Sequence, residues 1–325
     1  MSDKRQTKKI QIPSLKSMRG PVGKVDLLMR ECLRIINDVQ SYKAEDFLTQ
    51  CFSALGEFNE ALKEYSDENR IRQQFFDACD ILDSSLMHYR MRHKPLGYAG
   101  DYLLIDWMYT KKTKPSGIGH HWDEVFHLYQ GSRAVCNRKD MCEKVLRETA
   151  SEKSYSFNVL NIGCGSCRDM YEAIDHLPRG EGEIGLLHCV DQDPEALIYA
   201  KSLMSGFQNK KQVVWECRNA LRLRPEVKYD LIWSAGLFDY LNDRLVVFLL
   251  SRMWSWLKSG GRIVFGNFHP RNPSRFPMEL CGQWFLIHRT EHDLMELVKT
   301  AGIPASNASV RSEPLGINLF CEIFK

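Results

Sequence analysis

No stretch of this sequence approaches the ~20 uncharged apolar residues that a membrane-spanning helix requires. Neither sign of charge dominates. The 44 Lys and Arg stand against 41 Asp and Glu, a net of +3, so no global basic field points to nucleic acid. The opening MSDKRQTKKIQIPSLKSMRG is basic and polar and has no apolar h-region, so residues 1–20 read as a flexible tail and not as a secretory signal. A disulfide framework is not expected either. The cysteines number 11, an odd count scattered along the chain, and this favours a reducing, cytoplasmic compartment. There is one C-x-x-C, Cys164 and Cys167, and no second pair to complete a zinc site. His120, His121 and His127 in HHWDEVFH look mildly metal-like, but a solvated helix start with one buried face explains them. No metal is expected.

What is present is ordinary globular material, 44% hydrophobic and 26% charged, enough for a large core. Two halves read differently. Residues 21–150 carry helical spacing: Val25, Leu28, Met29, Cys32 and Ile36, then Phe47, Cys51, Leu55 and Phe58. A third run over 72–92 repeats it with Phe75, Phe76, Cys79, Leu82, Leu86 and Tyr89. Pro95, Gly97 and Gly100 then make 93–101 a loop. Helices are expected over 102–109, 123–129 and 134–149.

Residues 151–325 change texture. Apolar runs at 157–162, 184–190, 212–217, 231–235 and 262–268 alternate with helical stretches at 169–176, 194–202, 244–257 and 291–301. That alternation predicts parallel βαβ units and a doubly wound α/β sheet. At the C-terminus 308–312 and 317–323 are joined by too short a turn for a crossover, so they must pair antiparallel. A parallel sheet ending in an antiparallel hairpin is the Rossmann-like architecture of class I methyltransferases.

The series Val159-Leu-Asn-Ile-Gly163-Cys164-Gly165-Ser-Cys-Arg-Asp169 is a strand, a glycine turn and a helix start. Ligands in open α/β sheets bind beyond the carboxyl ends of the strands. Gly163 and Gly165 let a ligand reach the backbone around Cys164, and the helix start offers N–H groups to a carboxylate. A dinucleotide site wants a third glycine where Arg168 stands. S-adenosylmethionine (SAM) has no pyrophosphate and needs only the first two. Leu187-His-Cys-Val-Asp191 ends in an acid suited to both ribose hydroxyls. Gln192 joins the cofactor set, and Asp193 with Pro194 caps the next helix. Asn219 is placed to bond the adenine amine, with an ordinary turn asparagine as the alternative, and Ala220 follows it. Ser234 and Ala235 close a further strand where the reacting groups should meet. Together these elements resemble the class I SAM-dependent methyltransferases over roughly residues 150–325.

Further segments resemble a narrower group. Lys94-Pro-Leu-Gly-Tyr-Ala-Gly-Asp-Tyr102, Gly236-Leu-Phe-Asp-Tyr-Leu241, Gly266-Asn-Phe-His-Pro-Arg-Asn-Pro-Ser-Arg275 and Trp284-Phe-Leu-Ile-His-Arg-Thr290 are similar to the bacterial methyltransferase family named for extracellular-factor biosynthesis. Those proteins make 3-hydroxypalmitic acid methyl ester. The likeness runs from about residue 70, with His288 in place of an expected Tyr and Cys136 in place of an expected basic residue. It implies a helical region ahead of the SAM domain and a fatty-acid or other carboxylate oxygen as acceptor.

A carboxylate is ionised at neutral pH and needs no base, only a cationic anchor and an apolar trough. Arg275 and Arg289 are the candidate anchors, with structural ion pairs to Glu279 or Glu291 as the alternative. An amine or phenol acceptor would instead want a base, from His269, Asp239, Tyr240 or Asp101. Tyr98, in the glycine loop, either faces the sulfonium or packs the loop down. Other SAM chemistry stays open: N-methylation, or attack within SAM releasing methylthioadenosine. So does a non-catalytic SAM-binding module. Nucleic acid is not expected as a partner, because an N-P-P-Y motif for a flipped base is absent. The helical half either caps the site or forms a homodimer face, and periodicity does not separate the two.

Overall fold

The computed structural model describes residues 21–153, 155–177, 182–206 and 213–325, so the tail expected over 1–20 lies outside it. Helical spacing in the first half becomes seven helices: α1 (Pro21–Asn37), α2 (Ala44–Leu62), α3 (Glu68–Ala78), α4 (Leu86–His93), α5 (Tyr102–Tyr109), α6 (Gly117–Leu128) and α7 (Gln130–Ser151). In α2 the side chains of Phe47, Cys51, Leu55, Phe58 and Leu62 recur every three or four residues, and all are buried. The run over 72–92 is not one helix. It breaks at Asp80–Ser84, because the Ser85 hydroxyl caps a new helix by accepting from the His88 N–H. Helix α6 starts six residues before the expected Asp123. Asp123 is buried and accepts from the Ser85 hydroxyl at 2.6 Å, the Lys114 N–H at 2.8 Å and the Met87 N–H at 3.1 Å.

The second half builds one sheet from β1 (Phe157–Ile162), β2 (Ile184–Asp191), β3 (Val213–Cys217), β4 (Tyr229–Ser234), β5 (Leu257–Phe268), β6 (Ala308–Ser312) and β7 (Asn318–Phe324). Its order is β3-β2-β1-β4-β5-β7-β6. The first five strands are parallel, and β7 pairs antiparallel with both β5 and β6. This is the class I methyltransferase sheet.

Between the strands run α8 (Arg168–Asp175), α9 (Pro194–Leu203), α10 (Asp243–Trp256), α11 (Arg275–Gly282) and α12 (Glu291–Thr300). Strand alternation sorts neighbours to opposite faces. Val159, Leu231, Trp233 and Val264 share one core with α7, α8 and α9. Leu160, Ile232, Ile263 and Phe265 share the other with α10 and α12. The third core fills the helical region.

Helix α11 was not legible in the sequence. It has eight residues, and Pro277 lies within its first turn. Too short to show a period, it packs on α2, α3 and α4 and thereby ties the helical region to the strand ends. No helix among the described residues is long and apolar enough to cross a membrane.

Candidate active site

Beyond the carboxyl ends of β1, β2 and β4 lies a cavity of about 450 Å³. Gly163 and Gly165 line it at φ +66° and +51°, left-handed values that side chains adopt only with strain. The turn between them is pinned to β2, as the N–H groups of Gly163 and Cys164 both donate to the Val190 carbonyl. The Gly165 N–H donates to Asp191 Oδ2 at 2.8 Å, and the Asp193 N–H donates to Asp191 Oδ1 at 3.0 Å. Burial raises the Asp191 pKa above the ordinary carboxylate value, against these N–H groups, which lower it. Each carboxylate oxygen keeps a further lone pair for a ligand.

Asp193 caps α9 by accepting from the Glu195 N–H, as its Asp-Pro context suggested. Its other oxygen accepts from the Tyr98 hydroxyl at 2.9 Å. Tyr98 is thereby held at the β2 end of the cavity, and burial beside Asp193 raises its pKa. The loop that carries Tyr98 is locked at Gly100. A Cβ there would sit 2.4 Å from Trp284 Cζ2 and 2.6 Å from the Tyr240 hydroxyl, at φ +68°. Asp101 follows, buried, capping α5 and paired with Arg90 at 2.7 Å. Its Oδ1 takes all three of these bonds and the residue does not line the cavity, so it is not placed as the base considered above.

Gln192, Asn219 and Ala220 line the cavity at the β2–β3 end. The Asn219 amide donates to Gln192 Oε1 at 3.0 Å, while its own oxygen accepts from the Leu221 N–H. Asn219 is thus an exposed turn residue with its carbonyl already used. At the β4 end, Ala235 and Gly236 line the cavity but Ser234 does not. Ser234 is fully buried, and its hydroxyl donates to the Ile162 carbonyl at 2.9 Å, clamping β4 to β1 beneath the site.

Past Gly236 the walls turn apolar and aromatic, with Leu237, Leu241, Phe268, Trp284 and Leu286. Tyr240 and Asp239 are the polar groups there that the sequence singled out. Asp239 is fully buried in its surroundings, and this pushes its pKa up to about 7, against the Phe268 N–H that donates to it at 2.7 Å. The other three candidates are absent from the lining. His269 accepts from the Arg271 N–H through Nδ1 and faces Glu291 at 3.4 Å. Arg275 is half exposed and pairs with Glu279 at 2.6 Å. Arg289 is buried and donates to Asp243, to Asn267 Oδ1 and to the carbonyls of Phe238 and Leu241. Arg289 has every nitrogen engaged, and Arg275, bonded only through Nε, stands outside the cavity lining, so the expectation of them as anchors is corrected.

The structure brings in residues the sequence had not marked, chiefly Arg138, Tyr109 and Asp169. All three are buried. Asp169 ends the glycine-turn series without a role assigned to it, and Arg138 lies two residues past the Cys136 that was noted. Cys136 itself takes a bond from Lys111 and donates to the Met108 carbonyl. Cys164 and Cys167 are buried free thiols, with Cys167 Sγ 3.6 Å from Cys189 Sγ. His120 and His127 are held on the carbonyls of Lys114 and Lys112.

Residues 160–263 match the family model described as a methyltransferase domain. The chain carries a class I methyltransferase domain. The match takes in the glycine turn, Asp191 and the end of β4. The domain's donor set fits SAM. Asp191 offers outward lone pairs for two hydroxyls, and the two left-handed glycines leave the backbone bare beside it. Among curated proteins, malonyl-[acyl-carrier protein] O-methyltransferase 1 of Ilyobacter polytropus is 28% identical over 40% of this chain and 45% of its own length. A second such protein of the same organism is 26% identical over 34% of this chain and 39% of its own length. The chain thus spans less than half the length of these relatives. A solved structure, a possible exported protein from Bordetella parapertussis, aligns over 96% of this chain and 99% of its own at 18% identity, with a TM-score of 0.60. That likeness extends the shared fold through the helical region.

Proposed function

We propose that this protein is a SAM-dependent methyltransferase that methylates a carboxylate oxygen of a small molecule, a fatty acid or another acyl chain. One observation carries the reading. The cavity is continuous from Asp191, across the Gly163–Gly165 turn, into an apolar chamber beyond Gly236. An acceptor therefore has a place of its own beside the cofactor's reactive end. A pure SAM sensor needs no such chamber. The curated relatives support the chemistry, since they are named for O-methylation of an acyl carboxyl group.

In this reading residues 21–150 cap the site and shape the acceptor chamber, while residues 151–325 hold the cofactor. Asp191 takes the ribose hydroxyls, Gly163, Cys164 and Gly165 pass the methionine portion, and Gln192, Asn219 and Ala220 border the base. When bound, SAM supplies a methyl group on a sulfonium. The chain's own work is to hold the acceptor in line and keep water away. Phe268, Trp284 and Leu286 exclude water, and the Tyr98 loop closes the β2 end. No proton need move for a carboxylate acceptor. Of the two candidate bases in the chamber, Tyr240 has its hydroxyl bonded to Trp284 and Ala99, whereas Asp239, with its pKa pushed up to about 7, would serve an amine or phenol acceptor. Eleven free cysteines support a cytoplasmic site of action. A homodimer through the helical region is part of the proposal, and nucleic acid is not.

The test is incubation of the protein with SAM and a series of medium- and long-chain fatty acids, separating nucleosides and lipids. S-adenosylhomocysteine and a methyl ester in equal amounts are expected. Methylthioadenosine with no ester would replace the reading with attack inside SAM. Methylated amine products would move the acceptor to nitrogen.

A further inference from the structure

Arg138 presents donors that the fold leaves without acceptors. The residue is 8% exposed and lines the cavity. Among the described residues its one side-chain hydrogen bond runs from Nε to the Tyr109 hydroxyl, and its guanidinium lies 5.4 Å from the centre of that ring. The acids whose field reaches it, Asp169 and Asp239, are engaged elsewhere. Asp169 accepts from Trp233 Nε1 at 3.0 Å and from the Met170 N–H. Asp239 accepts from the Phe268 N–H. The outer nitrogens, Nη1 and Nη2, have no acceptor among the described residues. They point toward Gly236 at the end of β4, where an added Cβ would lie 3.0 Å from Nη1.

The other arginine of the lining, Arg218, is half exposed and already paired with Glu216. Buried N–H donors without an acceptor are costly, and the cost is relieved when a ligand brings one. Two parallel N–H donors in a plane match the two oxygens of a carboxylate.

We propose that Arg138 is the carboxylate-binding residue of this cavity, gripping its ligand through Nη1 and Nη2 while Tyr109 holds Nε. The inference rests on the SAM-dependent reading above. Two ligands of that reaction carry the group: the methionine end of the cofactor and the acyl acceptor. Gly236 is two strands from Asp191 across the sheet, so both fall within the span of the cavity.

Calorimetric titrations separate them, with wild type, Arg138→Met and Gly236→Ala each checked for unchanged melting. S-adenosylhomocysteine carries the methionine carboxylate, and 5′-methylthioadenosine is the matching nucleoside without it. Decanoate and decanol are titrated into the S-adenosylhomocysteine complex as charged and neutral acceptor probes. If Arg138 takes the methionine end, Arg138→Met weakens S-adenosylhomocysteine ~30-fold or more and leaves methylthioadenosine unchanged. If it takes the acceptor, S-adenosylhomocysteine binding holds while decanoate weakens by a similar factor and decanol does not. Either result supports the assignment.

Equal weakening of both nucleosides, or no change with any probe, overturns it. Should Arg138→Met fail to fold, Gly236→Ala decides, because its methyl group crowds Nη1 and is expected to weaken the carboxylate probe alone by roughly 5-fold. Wild-type protein that binds neither nucleoside would instead remove the SAM reading itself.

Discussion

Trp284 Nε1 donates to the Tyr240 hydroxyl at 3.0 Å, and that hydroxyl donates in turn to the Ala99 carbonyl at 3.1 Å. Three distant segments of chain meet in this relay. It fastens the glycine loop over the cavity to the strand-end segments that wall the acceptor chamber.

The fit leaves no room at Gly100. Gly100→Ala puts a methyl group into Trp284 and Tyr240 at an already left-handed φ. We expect a stability loss of roughly 2 kcal/mol, read from the denaturant midpoint. Gly97 has φ +84° but open space around it, so Gly97→Ala should show only the backbone strain, about 1 kcal/mol.

Asp191→Ala removes an acceptor that serves Gly165, Asp193 and the proposed ribose contact at once. SAM affinity is expected to fall about 100-fold, from two charge-assisted hydrogen bonds. Titration of SAM into the folded variant measures it, and an unchanged Kd would remove Asp191 from the cofactor site.

Asp239 and His88 tilt the pH profile in opposite senses. Folded Asp239 keeps its proton to about 7, whereas the free group releases it near 3.8. The fold then binds more protons between those values, so this contribution is complete below 3.8 and is lost as pH rises to about 7. In Asp239→Asn the amide cannot ionise. Its stability relative to wild type should climb from pH 5 to pH 8, and a flat difference would show that Asp239 does not titrate there.

His88 works at the acid end. Burial, with Arg92 adding, pushes its pKa down to about 3 from 6.5. The neutral ring sits among Trp122, Phe126 and Tyr129. Its contribution is whole above 6.5 and drains away as pH falls toward 3. Melting curves of His88→Gln should be less stable at neutral pH and less acid-sensitive than wild type between pH 6 and pH 4.

The two arginines once expected to anchor substrate should separate cleanly. Arg289→Met strands buried carbonyls and Asn267, for a loss of roughly 3–5 kcal/mol. Arg275→Met breaks a partly exposed pair and should cost under about 1 kcal/mol. Neither change is expected to alter the KM for an acceptor in protein that remains folded.

The sequence by itself determined what depends on neighbours along the chain. Strand and helix periods follow from side-chain repeat, so β1 and β6 fall on the residues expected and the C-terminal hairpin pairs antiparallel. The glycine turn and the acid ending β2 were legible because both are local chemistry, a backbone shape and a strand terminus. Helix α11 was not, being too short to show a period.

Only the tertiary structure decided the acceptor end. Its walls come from α5, α7, the turn after β4 and the segment after α11, and residue type does not say which way a side chain points. His269, Arg275 and Arg289 had suitable chemistry and turned out to be paired away from the cavity. Arg138 carried no local mark and became a buried cation in its wall, because α7 packs across the sheet and directs that side chain to the end of β4. Whether an arginine is a brace or a ligand depends on which partners the fold leaves it, and those partners lie far away in sequence.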